Sequence, residues 1–277
     1  MKRILLASLL AACAGTALAS DCQFTARRDF DASADGVKQV KLRTQAGDLK
    51  LAGAPGAKQV EVRAKACASS AEALEMLQVK NDRSGSTLVI EGSQPESVSS
   101  LFGSSYAYID LEIRVPAGMD IDLTDSSGDI DLANVGNVKL VDSSGDIRIT
   151  EARGDLSITD SSGDIDVTRA EGNVTIENDS SGDIEIDGAR RDVTVHNDSS
   201  GEIRISNVDG NATVDHDSSG DISFRHIGGN AAVGTDTSGS IDADGVKGDF
   251  TVRKKSGGRS NIEYHNVGGK VSLPEHD

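Results

Sequence analysis

The chain has no tryptophan, and only three tyrosines and five phenylalanines among 277 residues. It therefore lacks the stacking platforms on which single-strand and sugar binders rely. Cations are scarce too: 28 Lys and Arg face 45 Asp and Glu, for a formal charge of −17. A surface of that sign repels phosphate backbones and anionic lipid, which excludes nucleic acid as a partner class. Apolar runs are short. The longest, Ile4 to Ala12, falls well below the roughly 20 residues a spanning helix needs, so no transmembrane segment is expected. Only three cysteines occur, with no Cys-x-x-Cys pair and no Cys/His zinc spacing. A nucleophile elbow and a phosphate-binding Gly-rich loop are equally missing.

What the chain has is repetition. Asp125-Ser126-Ser127-Gly128-Asp129-Ile130 returns in near copies ending at Ile147, Ile165, Ile184, Ile203 and Ile222, with weaker versions at Thr237–Ile241 and around Ser256-Gly257-Gly258. The glycines fall at 128, 145, 163, 182, 201, 220 and 239. A period that settles at 19 residues means a stacked array. Three apolar sets recur within it: an Ile-x-Ile pair such as Ile184/Ile186, a single residue such as Ala189, and a pair such as Val193/Val195. Alternation in each short run puts one face in and one out. The reading is all-β: a right-handed parallel β-solenoid (β-helix) of about 19-residue coils, with two short strands per coil. Seven to eight coils stacked at about 4.8 Å make a rod of about 35–40 Å.

Met1 to Ala19 reads as a signal peptide. Lys2 and Arg3 precede the apolar stretch, and Ala17-Leu18-Ala19 forms a small-residue cleavage site. Leu10-Ala11-Ala12-Cys13 also has the form of a lipobox, so a lipid anchor at Cys13 is the competing expectation. Past the leader only Cys22 and Cys67 remain. Two cysteines in an exported chain pair as one disulfide. Localisation is accordingly expected to be periplasmic or at the cell surface.

Residues 20–115 read as an N-terminal cap with early coils, and 116–277 as the regular repeats. Strands are expected at Val37–Leu42, Lys58–Val62, Gln78–Lys80, Thr87–Glu91 and Tyr106–Val115. Ala46-Gly47-Asp48-Leu49-Lys50-Leu51 is a worn copy of the repeat phrase. Ser69 as N-cap and Glu72 at N3 predict a short helix running to Leu77. A cap is needed because an open solenoid end exposes strand edges and core. Leu101 and Phe102, in a Ser/Gly-rich stretch, read either as a pair tucked under its own loop or as an exposed contact tip.

Two acidic columns flank the repeated serines, and both are expected outside the core. One runs from Asp125 to Asp236, the other from Asp129 to Asp221. Like charges about 4.8 Å apart cost about 0.9 kcal/mol per neighbour even in water. Turn chemistry offsets this if each carboxylate accepts backbone N–H groups, with Ser and Gly completing the turn. Divalent cations, Ca²⁺ above all, would offset it if held between coils by Asp160, Asp164, Asp179, Asp183, Asp198, Asp217 and Asp221. The spacing does not match the nine-residue calcium β-roll. Of the five histidines, only His196 and His216 share a corner. A mixed column places Arg148 and Arg204 between acidic neighbours, as in a salt-bridged surface. Arg191 stands where other coils have glycine, and a local change of turn is expected there.

Tyr108-Ile109-Asp110-Leu111-Glu112-Ile113-Arg114-Val115-Pro116-Ala117-Gly118, leading into repeated Ser-Ser-Gly-Asp-Ile, resembles the bacterial toastrack, or adhesin-like, β-solenoid family over about residues 36–273. The resemblance implies an envelope or secreted protein with no catalytic residues to carry over. The leading expectation is a non-enzymatic interaction module, with an envelope protein or surface polysaccharide as partner and no cofactor. The alternatives are a polysaccharide-acting enzyme on a β-helix and a cation-stabilised structural protein.

Overall fold

The structure is a computed structural model that describes residues 22–94, 105–256 and 261–275. The leader with Cys13, the Leu101-Phe102 pair, Gly257-Gly258 and His276 lie outside the described residues. Among the described residues, no helix is long and apolar enough to cross a membrane.

The regular part is a solenoid of two-stranded coils. Ile130, Ile147, Ile165, Ile184, Ile203, Ile222, Ile241 and Ile262 pair in succession, each with its counterpart one coil on, through parallel strands. On the opposite wall, Val138, Leu156, Val174, Val193, Ala212, Ala231, Phe250 and Val271 do the same. The two walls belong to 13- and 12-stranded sheets, counting the described residues. All of these side chains except Val271 are buried, together with the second apolar residue of each strand from Leu132 to Ala243 on one wall and from Leu140 to Val252 on the other; Tyr264, after Ile262, is exposed. Burial of one such side chain stabilises by about 1.5–3 kcal/mol, and the repeat multiplies that along the rod. The expected two strands per coil and the 19-residue spacing are both present.

Between the walls, the single apolar set (Val135, Ala152, Ala170, Ala189, Val208, Ile227, Val246) is buried as well. A left-handed residue precedes each: Asn134, Glu151, Arg169, Gly188, Asn207, His226 and Gly245, with φ between 55° and 87°. That kink turns the next side chain inward and ends the sheet face. Beyond it, the parallel register Val174–Val193–Ala212 continues past Arg191 without a shift. Neither Arg191 nor the second-corner glycines have positive φ; the glycines there are set by close stacking, since a Cβ on Gly172 would overlap the Gly154 carbonyl.

The N-terminal end follows a different order. The strands are β1 (Phe24–Arg27), β2 (Phe30–Ser33), β3 (Gln39–Arg43), β4 (Leu49–Ala54) and β5 (Gln59–Ala68); the helix α1 (Ala71–Met76) follows. Then come β6 (Gln78–Ser84), β7 (Thr87–Ser93), β8 (Ala107–Pro116), β9 (Asp120–Thr124) and β10 (Ile130–Ala133). β3 lies between β7 and β9, and β4 between β8 and β10. The first coil in sequence is thus the second in space. Beyond β7 and β8, antiparallel β6, β5, β1 and β2 close the end, and β6 blunts the open edge with exposed Lys80, Asp82 and Arg83.

The cap is stapled by the Cys22–Cys67 disulfide. Helix α1 starts one residue later than expected. Ser70 is the N-cap, its Oγ accepting the Ala73 N–H at 3.1 Å, while Ser69 Oγ accepts the Tyr106 N–H at 3.2 Å. Arg28 donates to the carbonyls of Leu77 (2.9 Å) and Leu74 (3.3 Å) at the helix end, the latter also accepting the N–H of the C-cap residue Leu77.

Candidate functional site

The Asp-Ser-Ser-Gly-Asp corner concentrates the unusual side chains of the molecule. Its glycine is set by the backbone: Gly47, Gly128, Gly145, Gly163, Gly182, Gly201, Gly220 and Gly239 all have φ between 114° and 138°. Each stacks directly on the coil before it, and a Cβ on Gly201 would overlap the Gly182 carbonyl. The second serine ties the coils together: Ser144, Ser162, Ser181, Ser200 and Ser219 each donate Oγ–H to the carbonyl of the first serine one coil earlier, at 3.1–3.3 Å.

The first acidic column is inside the rod, which corrects the expectation of an outward ladder. Asp125, Asp142, Asp160, Asp179, Asp198, Asp217 and Asp236 are 0–3% exposed. In the first three coils strict alternation buries it, as at Leu123/Asp125, Leu140/Asp142 and Ile158/Asp160; from Asp179 onward the cause is a change of parity. In Val193–Asp198 the side chains of 193, 195 and 198 are buried while 196 and 197 are not. Two consecutive outward residues carry the aspartate back to the core side. Turn chemistry accounts for one oxygen of several of them. Oδ1 of Asp142 and of Asp160 accepts the next N–H at 2.7 Å, and Asp179 and Asp217 accept from Ser181 and Ser219 at 3.3 and 3.1 Å. Oδ2 of these four, and both oxygens of Asp198, are buried without a hydrogen-bond partner. Burial raises the carboxyl pKa, to about 7 for Asp142 and Asp198 and to about 6 for Asp125, Asp179 and Asp217; neighbouring aspartates add to it for all but Asp125. Asp160 is raised by the same burial.

The column ends on a cation that sequence reasoning missed. Lys255 pairs in register with Asp236, and its Nζ lies 2.8 Å from Asp236 Oδ2 with both side chains almost fully buried. Burial pushes Asp236 upward while Lys255 pulls the other way. Aligning Lys255-Ser256-Gly257 with Asp-Ser-Gly was the available signal.

The second column faces solvent and forms bonds between coils rather than within its own turn. Oδ1 of Asp129, Asp146, Asp164, Asp183 and Asp221 accepts the N–H of the matching residue one coil later, at 2.7–3.2 Å. For Asp221 this contact holds the carboxyl below its ordinary range. The second corner repeats the device. Asp120, Asn137, Asp155, Asn173, Asp192, Asn211, Asn230 and Asp249 form a ladder in which each Oδ1 accepts the following backbone N–H at 2.7–3.3 Å. Asn137, Asn173 and Asn211 also donate Nδ2–H to the aspartate before them at 3.0 Å, which relieves like-charge contact.

The candidate cation set is therefore divided. Asp160, Asp179, Asp198 and Asp217 point into the rod, while Asp164, Asp183 and Asp221 belong to the outer ladder. Among the described residues, no three His, Cys, Asp or Glu side chains are placed to hold one metal ion. His196 meets Asp215 at 2.7 Å, and it is Asn197, not His196, that pairs with His216. On the outer wall Arg148 bridges Asp131 (3.7 Å) and Asp166 (3.2 Å) as expected. Arg204 turns instead to Glu202 and to Asp183, the latter at 3.2 Å.

Stacked two-stranded coils with in-register corner ladders define a parallel β-solenoid. The chain belongs to the Toastrack DUF4097 family, which matches residues 55–275. No curated protein sequence matches it. Solved structures with a related outline include a "putative adhesin" from Bacteroides fragilis, 14% identical, covering 90% of this chain and 97% of that one with a TM-score of 0.41. A "putative lipid binding protein" from Parabacteroides distasonis is 15% identical, covers 91% and 97%, and has a TM-score of 0.38. A "putative cell adhesion protein" from Clostridium sporogenes is 12% identical, covers 91% and 100%, and has a TM-score of 0.32.

Proposed function

We propose that this chain is a non-enzymatic, exported, envelope-associated interaction module: a stiff acidic rod that presents repeated side-chain columns to a surface molecule. The observation that carries the reading is the regularity of the outward faces. Ser157, Thr175, Thr194, Thr213, Ala232, Thr251 and Ser272 stand in register on one wall, each one inter-strand spacing from the next. A repeated ligand meets the same groups at every step, so weak contacts reinforce one another. Export is supported by the leader-like Met1–Ala19 and by the Cys22–Cys67 disulfide, which belongs to an oxidising compartment.

The test is retention of the labelled mature chain, residues 20–277, on isolated envelope and on purified surface polysaccharides. Saturable retention is expected, and it should be lost when Thr175, Thr194 and Thr213 are replaced by Lys while thermal unfolding is unchanged. No retention by the parent chain would overturn the module reading. Progressive shortening of the polysaccharide would replace it with an enzyme.

A further inference from the structure

The interior aspartate column is not explained by an interaction role, and its chemistry is unusual. Seven carboxyls, from Asp125 to Asp236, lie one coil apart in a single file and are almost fully buried. Two carboxylates at about 4.8 Å repel by about 0.9 kcal/mol in water, and by several times that in a low-dielectric interior. Backbone N–H groups satisfy only part of the oxygens, leaving Oδ2 of Asp142, Asp160, Asp179 and Asp217 and both oxygens of Asp198 unpartnered. The charged groups that face the column do little to help. Asp146, Asp164 and Asp221 act on it from the adjoining outer ladder, and all are acidic. Lys255 pairs with the last member and adds a weaker pull on its neighbour Asp217, and at the other end Asp125 has the Thr44 hydroxyl beside it. One cation cannot neutralise seven carboxylates, and a group left charged in such a place neutralises instead. Metal coordination is not a substitute: among the described residues, no three ligand side chains converge.

We propose that the column is a proton-binding site, in which several of its carboxyls are protonated in mildly acidic solution, around pH 6, and each shares its proton with the free oxygen of a neighbouring coil. The protons come from solvent. Each one converts an acceptor-only carboxylate into a donor–acceptor pair, so the orphaned oxygens gain partners and the stacked charges are removed together. Lys255 leaves Asp236 ionised, and the protonated stretch runs inward from there. In the unfolded chain the same aspartates titrate near 4. Folding near pH 6 must then take up protons.

The experiment measures that uptake. The mature chain is refolded from denaturant in unbuffered solution at about pH 6 with a pH-stat, and the folded protein is examined by infrared spectroscopy for the C=O stretch of a protonated carboxylic acid. The expected result is uptake of several protons per chain, with a protonated-acid band that disappears as the pH is raised. Asp179→Asn and Asp198→Asn should each reduce uptake by up to about one proton. Asn can replace the protonated acid in size and hydrogen bonding, so both variants should fold. If neither does, the wild-type band and uptake decide the matter alone. No uptake and no band at about pH 6 would overturn the proposal. A band that appears only after EDTA would overturn it equally, because a metal ion would then hold the column.

Discussion

Lys255 Nζ lies 2.8 Å from Asp236 Oδ2, and this buried pair closes a file of seven inward aspartates. Removing one partner of such a pair strands a charge, which typically costs about 3–5 kcal/mol. Lys255→Met should therefore destabilise the fold by about that amount at pH 8, where Asp236 would be left ionised. At pH 5 the loss should be much smaller, since Asp236, already raised by burial, can take a proton instead. Urea unfolding at the two pH values checks this, and an equal loss at both would show that packing, not charge, sets the effect.

The wild-type chain should lose stability as the medium becomes more alkaline. Burial lifts Asp125, Asp179 and Asp217 to about 6 and Asp142 and Asp198 to about 7, against about 4 in the unfolded chain. The folded state then holds more protons than the unfolded state between those values, so stability falls as pH rises through this window. Asp221 acts in the opposite sense: its lowered carboxyl adds stability that disappears as the pH falls through its folded value. The melting temperature is expected to be higher at pH 5 than at pH 8, with most of the decline between about pH 5 and pH 7. Asp198→Asn should flatten the decline and raise the pH 8 midpoint by a few degrees, given that about 1 kcal/mol moves a domain of this size by roughly 2–4 °C. A midpoint rising from pH 5 to pH 8 would contradict the assignment.

The coil itself was legible in the sequence because its two strongest signals are local: alternation at Ile184/Ile186 and Val193/Val195, and a glycine wherever the corner demands positive φ. The burial of Asp198 was not. Strict alternation from Val195 would bury Asn197 and expose Asp198, and the two outward residues at 196 and 197 reverse that parity without any change in composition. Aspartate is also rarely buried, so the bland expectation placed it in solvent. Lys255 was hidden for a related reason, since a lysine in an acidic column reads as decay of the repeat rather than as its terminal counter-charge. The Asp192 and Asn211 ladder was visible only as a Gly-Asn or Gly-Asp step. That its side chains bond to the next coil depends on register, which no single repeat contains.

Gly201 and Gly56 separate two reasons for a positive-φ glycine. Gly56 has φ 75° and open space around its Cα, whereas Gly201 has φ 136° and a Cβ there would run into the Gly182 carbonyl. Gly56→Ala should cost only the left-handed penalty, about 1–2 kcal/mol. For Gly201→Ala, backbone strain combines with overpacking between coils, so a loss above about 3 kcal/mol is expected. Chemical denaturation of the two variants checks the difference. Similar losses would mean that the coils can separate locally to admit a methyl group.

Asp192 accepts both the backbone N–H and the Nδ2–H of Asn211, at 2.8 and 3.0 Å. Asp192→Ala removes both acceptors and should destabilise by about 1–3 kcal/mol. Asp192→Asn keeps the oxygen that serves the backbone and should lie within about 1 kcal/mol of wild type. Urea midpoints and the exchange rate of the Asn211 amide give the readout. If Asp192→Asn is as damaging as Asp192→Ala, the ladder depends on the charge rather than on the oxygen.

The interleaved N-terminal coil makes the rod unequally tolerant of truncation at its two ends. β3 and β4 lie between β7–β8 on one side and β9–β10 on the other. Deleting residues 39–54 opens a gap of about 9.6 Å, two inter-strand spacings, that neither neighbour can span while keeping its own pairing. It also strips the partner from under Gly128, which stacks on Gly47. Ending the chain at residue 256 removes only the outermost strands, Ile262–His265 and Val271–Ser272, and leaves every remaining coil with its inner neighbour. The interior deletion should abolish cooperative unfolding, while the C-terminal truncation should retain it with a lowered midpoint, as stacked repeats joined by nearest-neighbour contacts do. Circular dichroism melts of both chains are sufficient. A cooperative melt from the chain lacking 39–54 would show that β7–β8 can restack directly on β9–β10, and that the strand order in sequence does not constrain the order in space.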